Sequence, residues 1–414
     1  MRWALVGMSS LVVLLGAPTF GAGGQPLNRV SLDEALQLAL RQNPTLMAQQ
    51  AALFATKAGE TTAALRPNPT MNFLAEQLKP GQSQQDAQYT INVGQPIELG
   101  SKRQRRIDSA RAATQVATYQ LDDMRRQVIL QVKSAFASAL IARDQLALAE
   151  ANLKTLDDTE RIQRLRAEKG DISELELLRI QVQRFTFERD AADARQALGA
   201  ARIALRTAAG AANIAEDFDV FGELGFTEIS LDRAMLVRRA LDNRPDLRAA
   251  EADRERARAD YRLARANAWW DVTPQIEYQR IGSDDTIGFG FSFPLRIFDR
   301  NQGEIARTQA EITRVDSVRE ATALQLLASL ETDRQAALTQ RARVLSLRDV
   351  YLPKATRARD TVEYAYRRGG QSLLDFLDAQ RSYRETALAH LQALGAYLAA
   401  LYRLEADIGG PLDQ

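Results

Sequence analysis

The segment from Asn301 to Arg368 constrains this chain more than any other. It carries no glycine between Gly303 and Gly369 and a single proline, Pro353. Ile305, Ile312, Leu324, Leu327 and Leu330 recur at helical spacing, with Arg, Glu, Asp and Gln between them. Most helices run about 11–12 residues. At ~1.5 Å per residue this one would reach roughly 100 Å, far beyond what a compact domain needs. A strand-like run ending at Pro294 precedes it, and Gly369-Gly370 follows it. The remaining chain must either supply partners for this rod or repeat it.

It repeats it. Ser31 corresponds to Ser230, Gly170 to Gly369, Ser173 to Ser372, Gln181 to Gln380 and Gly210 to Gly409, each pair 199 positions apart. Pro96 and Pro294 differ by 198, and Pro44 and Pro245 by 201, as short insertions produce. The unit is helix, hairpin, long helix, turn, helix, present twice. The boundaries read as a secretory signal over 1–24, a first repeat over 25–210, a linker over 211–229, a second repeat over 230–409 and a tail over 410–414.

In unit one, Ser31-Leu32-Asp33 opens an amphipathic helix that stops at Asn43-Pro44, where proline suits the first turn of the next helix. That helix runs to about Leu65. The long stretch from Ser101 to about Lys169 spans roughly 100 Å. Thr45–Leu65 and Ser173–Ala209 sum to roughly 90 Å end to end, so both can lie along it. Leu121, Val128, Ala135, Ala142, Ala149 and Leu156 recur every seven residues, as do Val132, Ala139, Leu146 and Leu153. This is a coiled-coil seam whose alanines permit close approach.

Strands are expected at about 70–78 and 88–96, joined by the polar loop Lys79 to Gln88, and at about 272–281 and 286–294. Tyr89, Ile91 and Val93 alternate with polar residues, and so do Met71, Phe73 and Ala75. Ile287, Phe289, Phe291 and Phe293 face one way, and Thr286, Gly288, Gly290 and Ser292 the other. Neither hairpin has a core of its own, and a row of phenylalanines in water is unfavourable. Against lipid, with the small polar side towards a lumen, the pattern is favourable. One chain offers four strands, while the smallest membrane barrels have about eight, so several chains must share the wall.

Composition limits the chemistry. The net charge is +1, without the basic excess of a nucleic-acid binder. Cysteine is absent, which excludes disulfides, thiolate metal sites and acylation of an N-terminal cysteine. One histidine, His390, leaves little for metal ligation or acid–base catalysis. No catalytic set and no phosphate-binding loop is visible, and no cofactor is called for. Arg2 followed by the apolar run Trp3–Leu15 reads as a signal, too short for a comfortable membrane span.

With these features in place the chain resembles an outer-membrane efflux protein of the TolC family, over essentially its whole mature length. The segments Gln95-Pro96-Ile97-Glu98-Leu99-Gly100-Ser101-Lys102-Arg103 and Phe293-Pro294-Leu295-Arg296-Ile297-Phe298-Asp299-Arg300-Asn301-Gln302-Gly303 resemble the branch serving cobalt–zinc–cadmium pumps of the resistance–nodulation–division type. The resemblance implies a mainly α fold with a small β part. Its two tandem repeats would assemble as a homotrimer, with a periplasmic α-barrel below a shared twelve-stranded β-barrel in the outer membrane of a Gram-negative bacterium. It implies an exit duct of a tripartite pump that passively conducts cargo, divalent heavy-metal cations on this branch. Its partners would be a periplasmic adaptor, an inner-membrane pump and outer-membrane lipid. Rival readings are a multidrug or type I secretion duct and, in another class, a periplasmic coiled-coil scaffold, against which the phenylalanine-bearing hairpins speak.

The resemblance also implies site residues. Tyr366-Arg367-Arg368-Gly369 is similar to the family's adaptor-contact tip, and the turn ending at Gly170 is a looser match. Asp375 and Asp378, which share a helix face, match aspartates that line the family's narrow periplasmic mouth. Ser372 with Asp375 is equally a capping-box pattern, as is Ser173 with Glu176. Some members lock the mouth with an arginine where this chain has Gln371. Lys102 and Arg103 are expected near lipid headgroups.

Overall fold

A computed structural model describes residues 27–78, 86–170, 172–210 and 214–412. The expected signal at 1–24, most of the Lys79–Gln88 loop and the last two tail residues lie outside the described residues.

Unit one begins with β1 (Leu27–Val30), α1 (Leu32–Gln42) and α2 (Pro44–Ala64). Ser31 caps α1 in a capping box with Glu34, and the Asn43 side chain accepts from Thr45 N–H and Leu46 N–H at the start of α2. The hairpin β2 (Thr70–Glu76) and β3 (Gln88–Gly94) follows. Next come α3 (Lys102–Glu168), 67 residues long, and α4 (Glu174–Ala209). After β4 (Ile214–Val220), unit two repeats the order: α5 (Arg233–Asn243), α6 (Pro245–Asn267), β5 (Thr273–Ile281), β6 (Asp284–Ser292), α7 (Gln302–Ser346), α8 (Leu352–Arg367) and α9 (Leu373–Ile408).

The shorter helices α2 and α4 both pack on α3, and α6 and α9 both pack on α7, as the helix lengths require. Of the seam, Leu121, Val128, Val132, Ala139, Ala142 and Leu156 are buried. The core is divided along the rod. One cluster gathers Val132, Phe136, Leu205 and Phe218 in unit one, and another gathers Leu236, Leu330, Tyr397 and Leu404 in unit two. A third cluster lies at the lower turns. Each helix therefore buries its stripe piecemeal against successive neighbours, which lets a rod of this length remain folded.

Two expectations need correction. The stretch 211–229 is more than a linker, because β4 pairs in parallel with β1, setting Leu27 against Ile214 and Val30 against Val220. Ile214, Phe218 and Val220 are buried there. The second rod is also not one uninterrupted α-helix. Leu347–Tyr351 forms a π-helical turn between α7 and α8. Pro353 lacks an N–H and its ring crowds the carbonyl four residues back, so the helix widens just ahead of it.

Candidate functional site: a strand wall and a lower turn

The four hairpin strands form one antiparallel sheet in the order β2-β3-β5-β6. Its register sets Phe73 against Ile91, Ile91 against Tyr278, and Tyr278 against Ile287. Because side chains alternate between faces, Met71, Phe73, Tyr89, Ile91, Val93, Ile276, Tyr278, Ile287, Phe289 and Phe291 share one face. All are exposed, Phe289 by 81%. Phe293, just past β6, stacks on Phe291 with ring centroids 6.1 Å apart. The residues expected on a lipid face are thus brought together. Met71, Phe73, Ile276 and Tyr278 join them, the first two as the alternation of Met71, Phe73 and Ala75 signalled.

The opposite face carries Asn72, Thr90, Asn92, Gln275, Gln279, Thr286, Gly288 and Gly290. Asn92 donates to the side chains of Gln275 and Glu277, both at 3.3 Å. The charged residues of this face, among the described strand residues, are Glu76, Glu277 and Asp284, all acids. The outer strands β2 and β6 each leave one edge unpaired within the chain. In lipid every backbone polar group must be satisfied, so such edges require closure by further strands.

Where the sheet meets the long helices, Lys102 departs from expectation. It is buried, and its ammonium lies 2.7 Å from the Asp271 carboxylate, which also accepts the Leu99 N–H at 3.1 Å. Position in the sequence placed Lys102 near the headgroups, but the pairing draws it inward. Arg103 is exposed and donates to the Ala64 carbonyl at 2.6 Å.

At the opposite end of the rod, α8 stops at Arg367. Gly369 has φ +78° and Gly170 has φ +79°, the left-handed region that favours glycine. Gly370 N–H donates to the Ala365 carbonyl at 2.8 Å, closing the turn. Tyr366 was expected to meet a partner, yet its side chain is 6% exposed. Its ring stacks on Phe376 at 4.9 Å and packs with Leu373 and with Leu156, Ile180 and Phe187 of unit one. Burial, then the nearby Glu176, pushes its hydroxyl pKa up to about 12. Tyr366 therefore pins the two repeats together at their lower ends. Arg367 is exposed beside Glu363 at 2.5 Å, and its carbonyl accepts from Arg166 of the other turn at 3.0 Å.

Asp375 and Asp378 lie exposed on the first turns of α9, with exposed Leu374 beside them. Asp375 completes the capping box: its carboxylate accepts from Ser372 Oγ at 2.7 Å and from Ser372 N–H at 3.3 Å. At the matching positions unit one has half-buried Glu176 and exposed Arg179. The pair of acids on one helix face thus belongs to unit two alone, since unit one keeps an acid at only the first of the two positions.

Comparison with known proteins accords with this geometry. The family described as outer membrane efflux protein matches residues 35–211 and 236–410, one match per repeat. The cobalt-zinc-cadmium resistance protein CzcC of Cupriavidus metallidurans is 28% identical over 92% of this chain and 90% of its own length. The nickel-cobalt-cadmium resistance protein NccC of Alcaligenes xylosoxydans xylosoxydans is 27% identical over 74% of this chain and 70% of its own. The crystal structure of the Campylobacter jejuni CmeC outer membrane channel shares the fold at a TM-score of 0.78, with 13% identity, over 100% of this chain and 94% of that one. With each repeat matched separately and the sheet sorted into one apolar and one polar face, this chain belongs to the outer membrane efflux protein family: it is an efflux protein of the outer membrane, and not an enzyme.

Proposed function

We propose that three copies of this chain form the exit duct of a tripartite pump for divalent heavy-metal cations. The observation that carries the cation assignment is the polar face of the sheet, whose charged residues are all carboxylates. A lumen lined by one sign of charge concentrates counter-ions of the other. The likeness to two proteins named for resistance to cobalt, cadmium and zinc or nickel supports the same cargo. A strain lacking the chain is tested for growth on zinc, cobalt and cadmium salts and on organic drugs. Lost tolerance to the metals alone supports the proposal. Lost tolerance to drugs alone moves the assignment to a multidrug duct.

Closure by three copies is supported by the internal repeat. Gly94 and Ser292 hold equivalent places in their hairpins, as do Thr70 and Thr273. Transferring the β3–β5 register to the join between chains sets Gly290 opposite Leu74 of the partner subunit. Since the chain lacks cysteine, Gly290→Cys with Leu74→Cys is a clean probe. A covalent trimer on non-reducing gels is expected. Glu76→Cys in place of Leu74→Cys, displaced by two residues, should give little; the reverse yield would overturn the register.

The lower turns are the adaptor-contact surface, with exposed Arg367, Gly369 and Gly170 at the interface and Tyr366 supporting them from behind. Arg367→Glu is expected to weaken capture of the periplasmic adaptor at least several-fold, and unchanged capture would remove Arg367 from the interface. Around a threefold axis, Asp375 and Asp378 of each copy form the periplasmic constriction. The inner-membrane pump supplies the energy, and the duct opens as the paired helices move apart. Asp375→Ala with Asp378→Ala is expected to raise single-channel conductance in planar bilayers and to weaken block by divalent cations. Equal conductance and block would place both acids outside the pore. Asp378→Ala alone leaves the capping box of α9 intact and separates pore effects from helix fraying.

A further inference from the structure

The two repeats differ where the last strand of each hairpin turns into its long helix. In unit one this junction is tied down. Ile97 exchanges backbone hydrogen bonds with Val272 at 2.8 and 3.2 Å, and Leu99 and Lys102 both reach Asp271. In unit two it is two residues longer: the prolines Pro96 and Pro294 lie 198 apart, whereas the left-handed residues that open the helices, Ser101 and Asn301, lie 200 apart. The longer junction presents Leu295, Ile297 and Phe298 to solvent, Phe298 by 90%. Arg296 lies between Leu295 and Ile297, and Asp299 and Arg300 follow Phe298. A tie to the neighbouring helix comes at the far end, where Asn301 Nδ2 donates to the Ala264 carbonyl at 2.7 Å.

A neighbouring copy does not account for this exposure. The repeat symmetry brings a partner strand past Leu295 as β5 passes Ile97. Yet Ile97 is still 50% exposed with β5 in place. Phe298 belongs to the added length and has no counterpart in unit one for such a neighbour to cover. The patch is instead continuous with the membrane face. Leu295 follows Phe291 and Phe293 at the two-residue spacing of that face, and Phe293 packs against Trp270 with ring centroids 5.0 Å apart and planes tilted by 43°. Exposed Trp269 adjoins it.

We propose that residues 293–300 form an interfacial anchor in the periplasmic leaflet of the outer membrane. Leu295, Ile297 and Phe298 enter the boundary between headgroups and acyl chains, and Arg296 and Arg300 meet phospholipid phosphates. Apolar side chains flanked by arginine suit that layer, into which amphipathic helices sink about 5–10 Å, and tryptophan is enriched at the same level. None of the 414 residues is a cysteine able to carry an acyl chain, so the anchor is built from side chains. It sets the height at which strands give way to helices, and hence the depth of the lower turns.

The test uses tryptophan fluorescence of the assembled full chain. Trp3, Trp269 and Trp270 are replaced by Phe, and Phe298→Trp supplies the probe, with Ile297→Trp as a second probe should the first fail to assemble. The protein is reconstituted in phosphatidylethanolamine–phosphatidylglycerol vesicles containing brominated phospholipid. Blue-shifted emission, quenched most by bromines near the glycerol end of the chains, is expected. Phe289→Trp, in the sheet, should respond most to bromines deeper in the chains. Water-like emission without quenching would place the segment in the periplasm. Blue-shifted but unquenched emission would place it under a neighbouring subunit. Either result overturns the anchor and leaves the cargo assignment untouched.

Discussion

Phe289→Lys is expected to abolish the proposed trimer on detergent gels, whereas Thr286→Lys, three residues away on the same strand, leaves it largely intact. Phe289 faces Ile276 across the sheet on the apolar side. A lysine at the midplane of the lipid face costs about 2–4 kcal/mol, or about 6–12 kcal/mol over three copies. That is comparable to the whole stability of a typical domain, about 5–15 kcal/mol. Thr286 lies on the polar face, where its hydroxyl donates to the Gln279 carbonyl at 3.2 Å. A lysine there remains hydrated in the lumen. Unheated gels of outer-membrane fractions read both outcomes. The reverse pattern would mean that the faces are assigned the wrong way round, and equal trimer yield would mean that neither face meets lipid.

The second large effect lies where α6 begins against the end of α9. Arg244 reaches Asp407 at 2.7 Å and Asp246 at 2.9 Å, and the side chains of Arg244 and Asp407 are 11% and 9% exposed. Burial by itself would lower the Arg244 pKa, but Asp246 and Asp407 outweigh it and hold it raised. Asp333 stands close by with its own pKa raised, first by burial and further by Asp407. Arg244→Met leaves Asp246 and Asp407 without their buried cation. Removing one partner of a buried pair costs about 3–5 kcal/mol, so a marked fall in the denaturation midpoint is expected.

Unit one solves the same corner without charge. Asn43 holds the place of Arg244, and Ala208 that of Asp407, joined by Asn43 Nδ2 donating to the Ala208 carbonyl at 2.9 Å. Arg244→Asn with Asp407→Ala transplants that arrangement and should recover most of the lost stability. If the double variant is as unstable as the summed single losses, the two residues do not act as a pair.

The lengths of α3 and α4, the repeat and the two faces of the hairpins follow from periods of a few residues, whereas the π-helical turn ahead of Pro353 does not. Such periods are local: a heptad marks a helix seam, and a two-residue alternation marks a strand with unlike faces, whatever the chain later packs against. The resemblance then supplied Asp375, Asp378 and the Tyr366–Gly369 turn as site residues. Asp375 shows how far that reached, since its carboxylate satisfies Ser372 and also lies exposed on the α9 face.

What the sequence could not decide was which side chains lose contact with water. Tyr366 in a turn motif reads as a surface contact, but Leu156, Ile180 and Phe187 arrive from the other repeat to enclose it. Lys102 reads as a headgroup cation until Asp271, distant in sequence, is set beside it. β1 and β4 lie far apart in the chain, and their parallel pairing exists only once the helices of the first repeat have folded back along their rod. Periodicity determines which face of an element is apolar; burial depends on what the rest of the molecule, or the membrane, brings against that face.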